Sequence, residues 1–222
     1  MQIDPHMIDP NQMPSALLRL PRDARGYPVP WFVKWYGSRP DFRVVGEGKF
    51  SRAVAGQRCW ICGERLGRYL CFVVGPMCVI NRVTSEPPSH RDCAEYAVRV
   101  CPFLAIPRMR RQAHDLPDHI VPPPGDHNPR NPGVVAIYIA RKFDVVSAGE
   151  GHPGRLIEMG EPTTVTWWRE GRPATREEVD AAMNRGLAAL YEQCRSREDQ
   201  KDLGDAFSRA LRLMPGEQEA VP

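Results

Sequence analysis

Four residues in two pairs carry the clearest chemical signal of this chain. Cys59 and Cys62 have two residues between them and are followed by Gly63; His90 and Cys93 repeat that spacing, starting 27 residues after the glycine. Thiolate sulfurs and imidazole nitrogens are ligands of tetrahedral zinc, and each short stretch of backbone delivers two of them. Because four protein ligands leave no coordination position open, the pattern predicts a structural Zn²⁺ site.

Three further cysteines lie close enough in the sequence to replace one of the proposed ligands, and they are Cys71, Cys78 and Cys101. The sequence favours Cys71 and Cys78 as small apolar residues that pack in a core. The chain has seven cysteines, and an odd number with metal-type spacing indicates a reducing compartment and not a disulfide framework.

The elements around the ligands follow from turn and capping residues. Residues 69–74 and 77–82 are apolar runs of strand length, and the Gly75-Pro76 turn between them predicts a hairpin. Ser89 is the expected N-cap of a helix, with Asp92 as its capping-box partner, so the second ligand pair falls in the first helical turn. This helix is expected to end near Cys101.

A cysteine loop, a hairpin and a helix whose first turn donates the last two ligands together resemble a treble-clef zinc finger. The resemblance covers about residues 57–102 and implies metal binding, while such fingers serve nucleic-acid binding, nuclease and protein-interaction roles alike. The sequence from Gly75 to His90 also resembles bacterial and bacteriophage proteins. That resemblance implies no activity for this chain.

The rest of the chain divides into three further regions. Prolines interrupt residues 1–26, which predicts a flexible N-terminal segment. Strands at residues 31–35 and 42–45 form a hairpin that extends the zinc module over residues 27–111. A Pro-rich connector over 112–132 leads to the region 133–222, which is expected to form one domain of its own or to pack with the zinc module.

The C-terminal region combines strands with two helices. One long strand is predicted over residues 134–146, and a hairpin over 156–159 and 163–168. A helix begins at Thr175 with Glu178 as capping-box partner, and a second amphipathic segment follows Ser196. The predicted fold class is therefore α+β, a treble-clef zinc module plus a small antiparallel sheet with C-terminal amphipathic helices.

A second group of residues resembles part of a catalytic motif. Asp118 and His119, followed by Asn128, Asn131 and later His152, resemble the opening of an HNH nuclease site, in which histidine activates water. In zinc-supported members of that class the Asp-His pair lies between the two cysteine pairs, whereas here it follows both. The segment is therefore interpreted as a Pro-rich linker, with Asp118, His119 and His152 kept as the catalytic candidates and the protein expected to be a non-enzyme.

Charge is distributed unevenly along the chain. Residues 1–111 carry 17 Lys and Arg against 9 Asp and Glu, or +8, whereas residues 112–222 carry 13 against 18, or −5. Arginine suits phosphate contacts, so the front half is expected to face DNA or RNA. The arginines expected to make these contacts are Arg65, Arg68, Arg91, Arg108, Arg110 and Arg111.

A protein-interaction or inhibitor role is the competing interpretation. Trp167 and Trp168 are adjacent on a predicted strand, so they point to opposite faces, and one is exposed unless the sheet is covered on both sides. Trp168 is therefore the candidate for contact with a protein partner. The chain has no apolar run of membrane-spanning length and no signal segment, which predicts a cytoplasmic protein without a membrane partner.

Overall fold

The computed structural model describes residues 13–106, 131–149 and 154–216. Helices and small antiparallel sheets form an α+β structure, which confirms the predicted class. Within these residues, no helix has both the length and the apolar character needed to cross a lipid bilayer.

The elements alternate along the chain. The helices are α1 (Ser15–Leu18), α2 (Lys49–Ala55), α3 (Pro76–Asn81), α4 (Arg91–Val100), α5 (Pro102–Ala105), α6 (Arg176–Tyr191) and α7 (Arg197–Leu211). The strands are β1 (Val33–Tyr36), β2 (Arg39–Val45), β3 (Leu70–Val74), β4 (Val83–Thr84), β5 (Val135–Ala140), β6 (Phe143–Ser147), β7 (Arg155–Met159), β8 (Pro162–Arg169) and β9 (Arg172–Pro173).

A four-stranded antiparallel sheet in the order β3-β5-β8-β9 lies at the centre. Every residue of β5 is buried, as expected for a central strand whose two faces are both covered. Phe72 and Tyr138 point to one face with α3, α6 and α7, whereas Cys71 and Ile137 point to the other face with α4. The period-two alternation of strand side chains thus supplies two apolar layers from one set of strands.

Two smaller sheets contain the other described strands. Strands β1 and β2 pair as the predicted N-terminal hairpin, and β4, β7 and β6 form a three-stranded sheet. The segment 1–26 was predicted to be flexible, yet within its described part Met13 and Leu17 lie in the main core, with Leu17 only 1% exposed. The short helix α1 fits directly after Pro14, its N-cap, and that placement turns Leu17 inward.

The predicted strand over residues 77–82 is wrong, because this segment is helix α3. Pro76 occupies the first turn, where proline's missing N–H costs nothing, after an extended Gly75. Strand β3 consequently pairs with β5 and not with its sequence neighbour. Gly186 of α6 allows the close approach, since a Cβ there would lie 3.2 Å from Pro76 Cβ and 3.3 Å from the Met77 nitrogen.

The predicted long strand is wrong in its length, and the hairpin after it is wrong in its pairing, although its two strands lie within one residue of the predicted bounds. Strands β5 and β6 divide the first, while β7 and β8 belong to different sheets. Ala140 pairs with Pro162 and Phe143 with Met159, so residues 135–147 and 155–169 form one long hairpin that is bent in the middle. At the bend the Gly160 N–H donates to the Lys142 carbonyl at 3.1 Å, and a Cβ at Gly160 would stand only 2.7 Å from that oxygen.

The C-terminal helices begin where the sequence predicted. The Thr175 hydroxyl accepts from the Glu178 N–H while the Glu178 carboxylate accepts from the Thr175 N–H, which confirms the capping box. The same reciprocal pair joins Ser196 and Asp199 at the start of α7. Two satisfied N-termini fix the helices that cover one face of the central sheet.

The adjacent tryptophans on β8 should differ sharply in their effect on stability. Trp167 is buried and its indole N–H donates to the Leu213 carbonyl at 2.8 Å, tying α7 to the sheet. We expect Trp167→Ala to cost about 3–5 kcal/mol of unfolding free energy. Trp168→Ala, which truncates a half-buried ring, should cost distinctly less. Urea unfolding followed by circular dichroism measures both, and equal losses would contradict the assignment of faces.

Candidate metal centre

The structure brings the four predicted ligands together from two places in the chain. Cys59 and Cys62 come from the loop of residues 58–65, here called the metal loop, while His90 and Cys93 come from the start of α4. Their ligand atoms all lie within 4.8 Å of one another. The three sulfurs are buried and the imidazole is partly exposed, so the centre lies at the edge of the main core.

The metal loop is closed by its own backbone. The Cys59 N–H donates to the Glu64 carbonyl at 2.7 Å, and the Gly63 N–H donates to the Cys59 carbonyl at 2.8 Å. Gly63 has φ +79°, a left-handed conformation that favours glycine. An added Cβ would also stand 2.5 Å from Cγ and Cδ1 of Trp31. The glycine therefore serves both the turn and the packing of the indole against it.

Backbone N–H groups point at the Cys59 sulfur. The N–H groups of Cys62 and His90 each lie 3.4 Å from Cys59 Sγ, one from each ligand pair. Hydrogen bonds of this kind stabilise a thiolate over a thiol. Each of the two ligand-bearing segments thus contributes one N–H group that favours the thiolate form of Cys59, which is the form that binds a cation.

The orientation of His90 leaves one ring nitrogen available for a metal ion. Its Nε2 lies 3.0 Å from the carbonyl oxygen of Arg65, which can only accept a hydrogen bond, so Nε2 carries the proton. Nδ1 therefore holds the lone pair, and it faces the sulfurs of Cys62 at 3.3 Å and Cys93 at 3.9 Å. A carbonyl that fixes the tautomer of a ligating histidine is a recurrent feature of metal sites.

The electrostatic interactions among the three sulfurs also favour a bound cation. Hydrogen bonds from the thiols of Cys62 and Cys93 hold the pKa of Cys59 far below its usual range. The same contact with Cys59 raises the pKa of Cys62 to about 11 and also raises the pKa of Cys93. Negative charges this close repel one another, and a bound cation would offset that repulsion. A set of three sulfurs and one imidazole could hold a metal ion such as zinc.

The other nearby cysteines lie outside this cluster. Cys71 is fully buried on the α4 face of the central sheet, where desolvation raises its pKa to about 11. Cys78 packs against the main core from α3, and burial raises its pKa to about 11 as well. Cys101 is the C-cap of α4, away from the helix end that carries the ligands.

No protein family, curated protein or solved structure matches the chain in the three comparisons.

The start of α4 differs in one detail from the prediction. The N-cap is His90 and not Ser89, and no side chain caps the helix. Ser89 is buried and exchanges two backbone hydrogen bonds with Cys71, at 2.8 and 3.1 Å. Its backbone is therefore held in extended pairing beside β3, and the first helical residue falls after the ligand His90.

The predicted phosphate-binding arginines occupy different settings. Arg65 and Arg68 are exposed, and neither has an acidic partner among the described residues. Arg91 forms an ion pair with Glu95 at 2.7 Å. The remaining candidates Arg108, Arg110, Arg111, Asp118, His119, Asn128 and His152 lie outside the described residues.

Asn131 and Trp168 have structural partners. The Asn131 amide donates to the carbonyls of Phe103, Leu104 and Ile106 at 2.7 to 3.2 Å, so it closes the end of α5. Trp168 packs on the α4 face of the sheet with the Arg99 guanidinium 5.1 Å from its ring centre. The central sheet is covered on both sides, which is the arrangement that shelters both adjacent tryptophans.

Sequence reasoning missed two cations beside the metal loop. Lys49 and Arg52 lie on α2, with the Lys49 ammonium 4.0 Å and the Arg52 guanidinium 5.8 Å from the centre of the Trp31 ring. Their spacing of three places them on one face of α2. Nothing local in the sequence indicated that Trp31 would lie on Gly63.

Replacing two buried cysteines separately should distinguish ligand from core residue. We expect Cys93→Ala to lose stoichiometric metal, because the site then has three donors, whereas Cys71→Ala should keep one ion per chain. Elemental analysis gives the ratio, and Co²⁺ substitution reports tetrahedral thiolate coordination by its absorption spectrum. Retention of metal by Cys93→Ala together with its loss from Cys71→Ala would contradict this ligand set.

Three glycine variants should separate backbone strain from close packing. Gly63→Ala combines a left-handed φ with contact against Trp31, whereas Gly37 has φ +59° and open space around it. Gly67 has neither constraint. We expect Gly37→Ala to cost about 1–2 kcal/mol, Gly63→Ala to cost more, and Gly67→Ala to be close to neutral. Thermal unfolding of the metal-loaded proteins gives the order, and a tolerated Gly63→Ala would refute the described loop.

Proposed function

We propose that this chain is a zinc-stabilised, non-enzymatic binding protein that contacts nucleic acid through a basic band on α2 and the metal loop. The basic band consists of Lys49, Arg52, Arg58 and Arg65. It overlaps the predicted arginine-rich surface at Arg65 and extends it onto α2.

The observation that carries the proposal is the convergence of these cations without carboxylates to neutralise them. Lys49 and Arg52 share the ring of Trp31, while Arg58 and Arg65 line one cleft at the end of α2 and form a backbone bridge with each other. None of the four has an ion-pair partner among the described residues. Unpaired cations on one surface are the electrostatic footprint of phosphate binding.

The one acidic residue between positions 49 and 68 does not reduce this charge. Glu64 forms an ion pair with Arg19, which comes from the N-terminal segment. The many carboxylates of the C-terminal helices belong to other elements, α6 and α7. The band is thus a basic surface on a chain whose formal net charge is only +3.

We propose that the ion of this centre is zinc and that its role is structural. Three thiolates and one imidazole suit its tetrahedral preference, and four protein ligands leave no open position for a reacting water. Cys59, Cys62, His90 and Cys93 would hold it, and the bound ion would supply rigidity to the metal loop. Arg58 and Arg65 flank those ligands, so this rigidity fixes their backbone.

The proposed topology is a variant of the treble clef. The metal loop and the start of α4 correspond to its two ligand-bearing parts. The intervening hairpin is reduced to the bridge between Cys71 and Ser89, because residues 76–81 are helical.

The two alternatives have less support. An adaptor or inhibitor that uses Trp168 would need that ring accessible, yet the side chain packs against α4 and its N–H donates to the Thr166 hydroxyl at 3.1 Å. A divalent-metal nuclease would rest on Asp118, His119 and His152, which stay predictions outside the described residues.

Two matched double variants test the band. We expect Arg52→Gln with Arg65→Gln to weaken binding to labelled DNA and RNA, and to reduce the slope of log affinity against log salt by roughly two, one for each lost phosphate contact. Arg197→Gln with Arg212→Gln changes the net charge equally on exposed positions at the two ends of α7 and should leave the slope unchanged. Fluorescence anisotropy over a salt series supplies both numbers.

Three results bear on the proposal. If the two double variants weaken binding equally, net charge alone explains the binding and the proposal is overturned. Absence of any binding at low salt would also overturn the proposal. Replacing Arg108, Arg110 and Arg111 with Ala is expected to weaken binding in the same direction if the predicted contacts of that segment exist.

A further inference from the structure

A cleft of about 370 Å³ lies between the N-terminal segment and the β1–β2 hairpin, next to the basic band. Its lining includes Leu20, Pro30, Trp31, Trp35 and Lys49. Its volume is at the lower end of the roughly 300–1,000 Å³ of small-molecule sites. The cleft thus has room for a flat ring system.

Trp35 differs from Trp31 and Trp60 in the partners of its ring. Trp31 lies between Gly63 and the cations of α2, and Trp60 is buried in a parallel stack with Phe32, with ring centres 4.8 Å apart. Trp35 is half-buried, and within the described residues its ring has no aromatic, cationic or hydrogen-bond partner. An indole that faces a cleft without a partner offers a free stacking surface.

The charges around the cleft favour an anion at one end of it. Lys49 lines the cleft and Arg52 lies beside it over the same indole, held by the carbonyls of Glu47 and Gly48 at 3.1 and 3.3 Å. The one carboxylate in the lining, Glu47, is exposed and forms no ion pair with Lys49. Lys34 also lines the cleft, and its ammonium lies 6.0 Å from the centre of the Tyr36 ring. The two cations that share the Trp31 ring, Lys49 and Arg52, lie at the end next to α2.

We infer that this cleft binds one unpaired nucleobase stacked on Trp35, with the adjoining phosphate held by Lys49 and Arg52. The inference rests on the proposed nucleic-acid function and deepens it, because it assigns single strands as the preferred class. Stacking on an aromatic side chain contributes about 1–3 kcal/mol per base and accepts every base, since each has a π-face. A paired base inside a duplex cannot enter, so duplexes contact the basic band alone.

The experiment compares two neighbouring aromatic residues on β1. Trp35→Leu removes the stacking surface while keeping an apolar side chain, and Tyr36→Leu makes the same kind of change on the opposite face of the strand. The probes are a labelled oligothymidylate and a duplex of the same length. We expect Trp35→Leu to lower single-strand affinity by roughly tenfold or more and to leave duplex affinity unchanged. Tyr36→Leu should change neither affinity.

Folding and stacking are checked separately. Metal content and the unfolding midpoint show whether Trp35→Leu is folded; if it is not, Trp35→Phe replaces it, and an intermediate single-strand affinity is then expected because the smaller ring still stacks. Unchanged single-strand affinity in the folded variant, or an equal loss for single strands and duplexes, overturns the inference. If the basic-band variants still weaken binding in that case, the proposed function stands without it. Failure of the unaltered protein to bind either probe overturns both.

Discussion

The convergence of three sulfurs and one imidazole within 4.8 Å is the constraint on which the rest of the arrangement depends. It joins a tight loop, whose geometry requires Gly63, to the first turn of α4. The backbone N–H groups of Cys62 and His90 already point at the Cys59 sulfur, and the Arg65 carbonyl already holds the His90 ring by its Nε2. The donors are thus oriented by the chain itself, which reduces the conformational freedom that metal binding would have to remove.

Helix α4 connects the metal centre to the central sheet, because one of its faces packs in the main core and the other packs on the sheet. Cys93 and Tyr96 belong to the main core on the metal side, while Ala94 and Val98 pack against Ile137 and its neighbours on the sheet. A single helix of ten residues therefore fixes the position of the metal loop relative to the strands. It also covers the sheet face opposite α3, α6 and α7, which explains why Trp168 is sheltered.

The sequence predicted the site better than the topology around it. Ligand type and spacing are local properties, so Cys59, Cys62, His90 and Cys93 could be grouped without knowing the fold, and the capping box at Thr175 is local too. The partner of β3 is β5, more than sixty residues later, and no local signal encodes that choice. The Gly75-Pro76 pair is compatible with a turn or with a helix start, and packing against α6 decides it. The cleft beside Trp35 required three separate segments to meet, so periodicity could not reveal it.

Arg65 links the interior of the metal centre to the surface. Its carbonyl holds the proton-bearing nitrogen of His90, and its guanidinium extends into solvent from the same backbone. Suppose that a polyanion binds more tightly when the ion orders the loop. Thermodynamic reciprocity then requires that the polyanion raises the affinity for the ion by the same factor by which the ion raises the affinity for the polyanion. Under the proposed function, a bound polyanion would raise the affinity for the ion and loss of the ion would lower the affinity for the polyanion, with the Arg65 peptide unit as the coupling element between the two ligands.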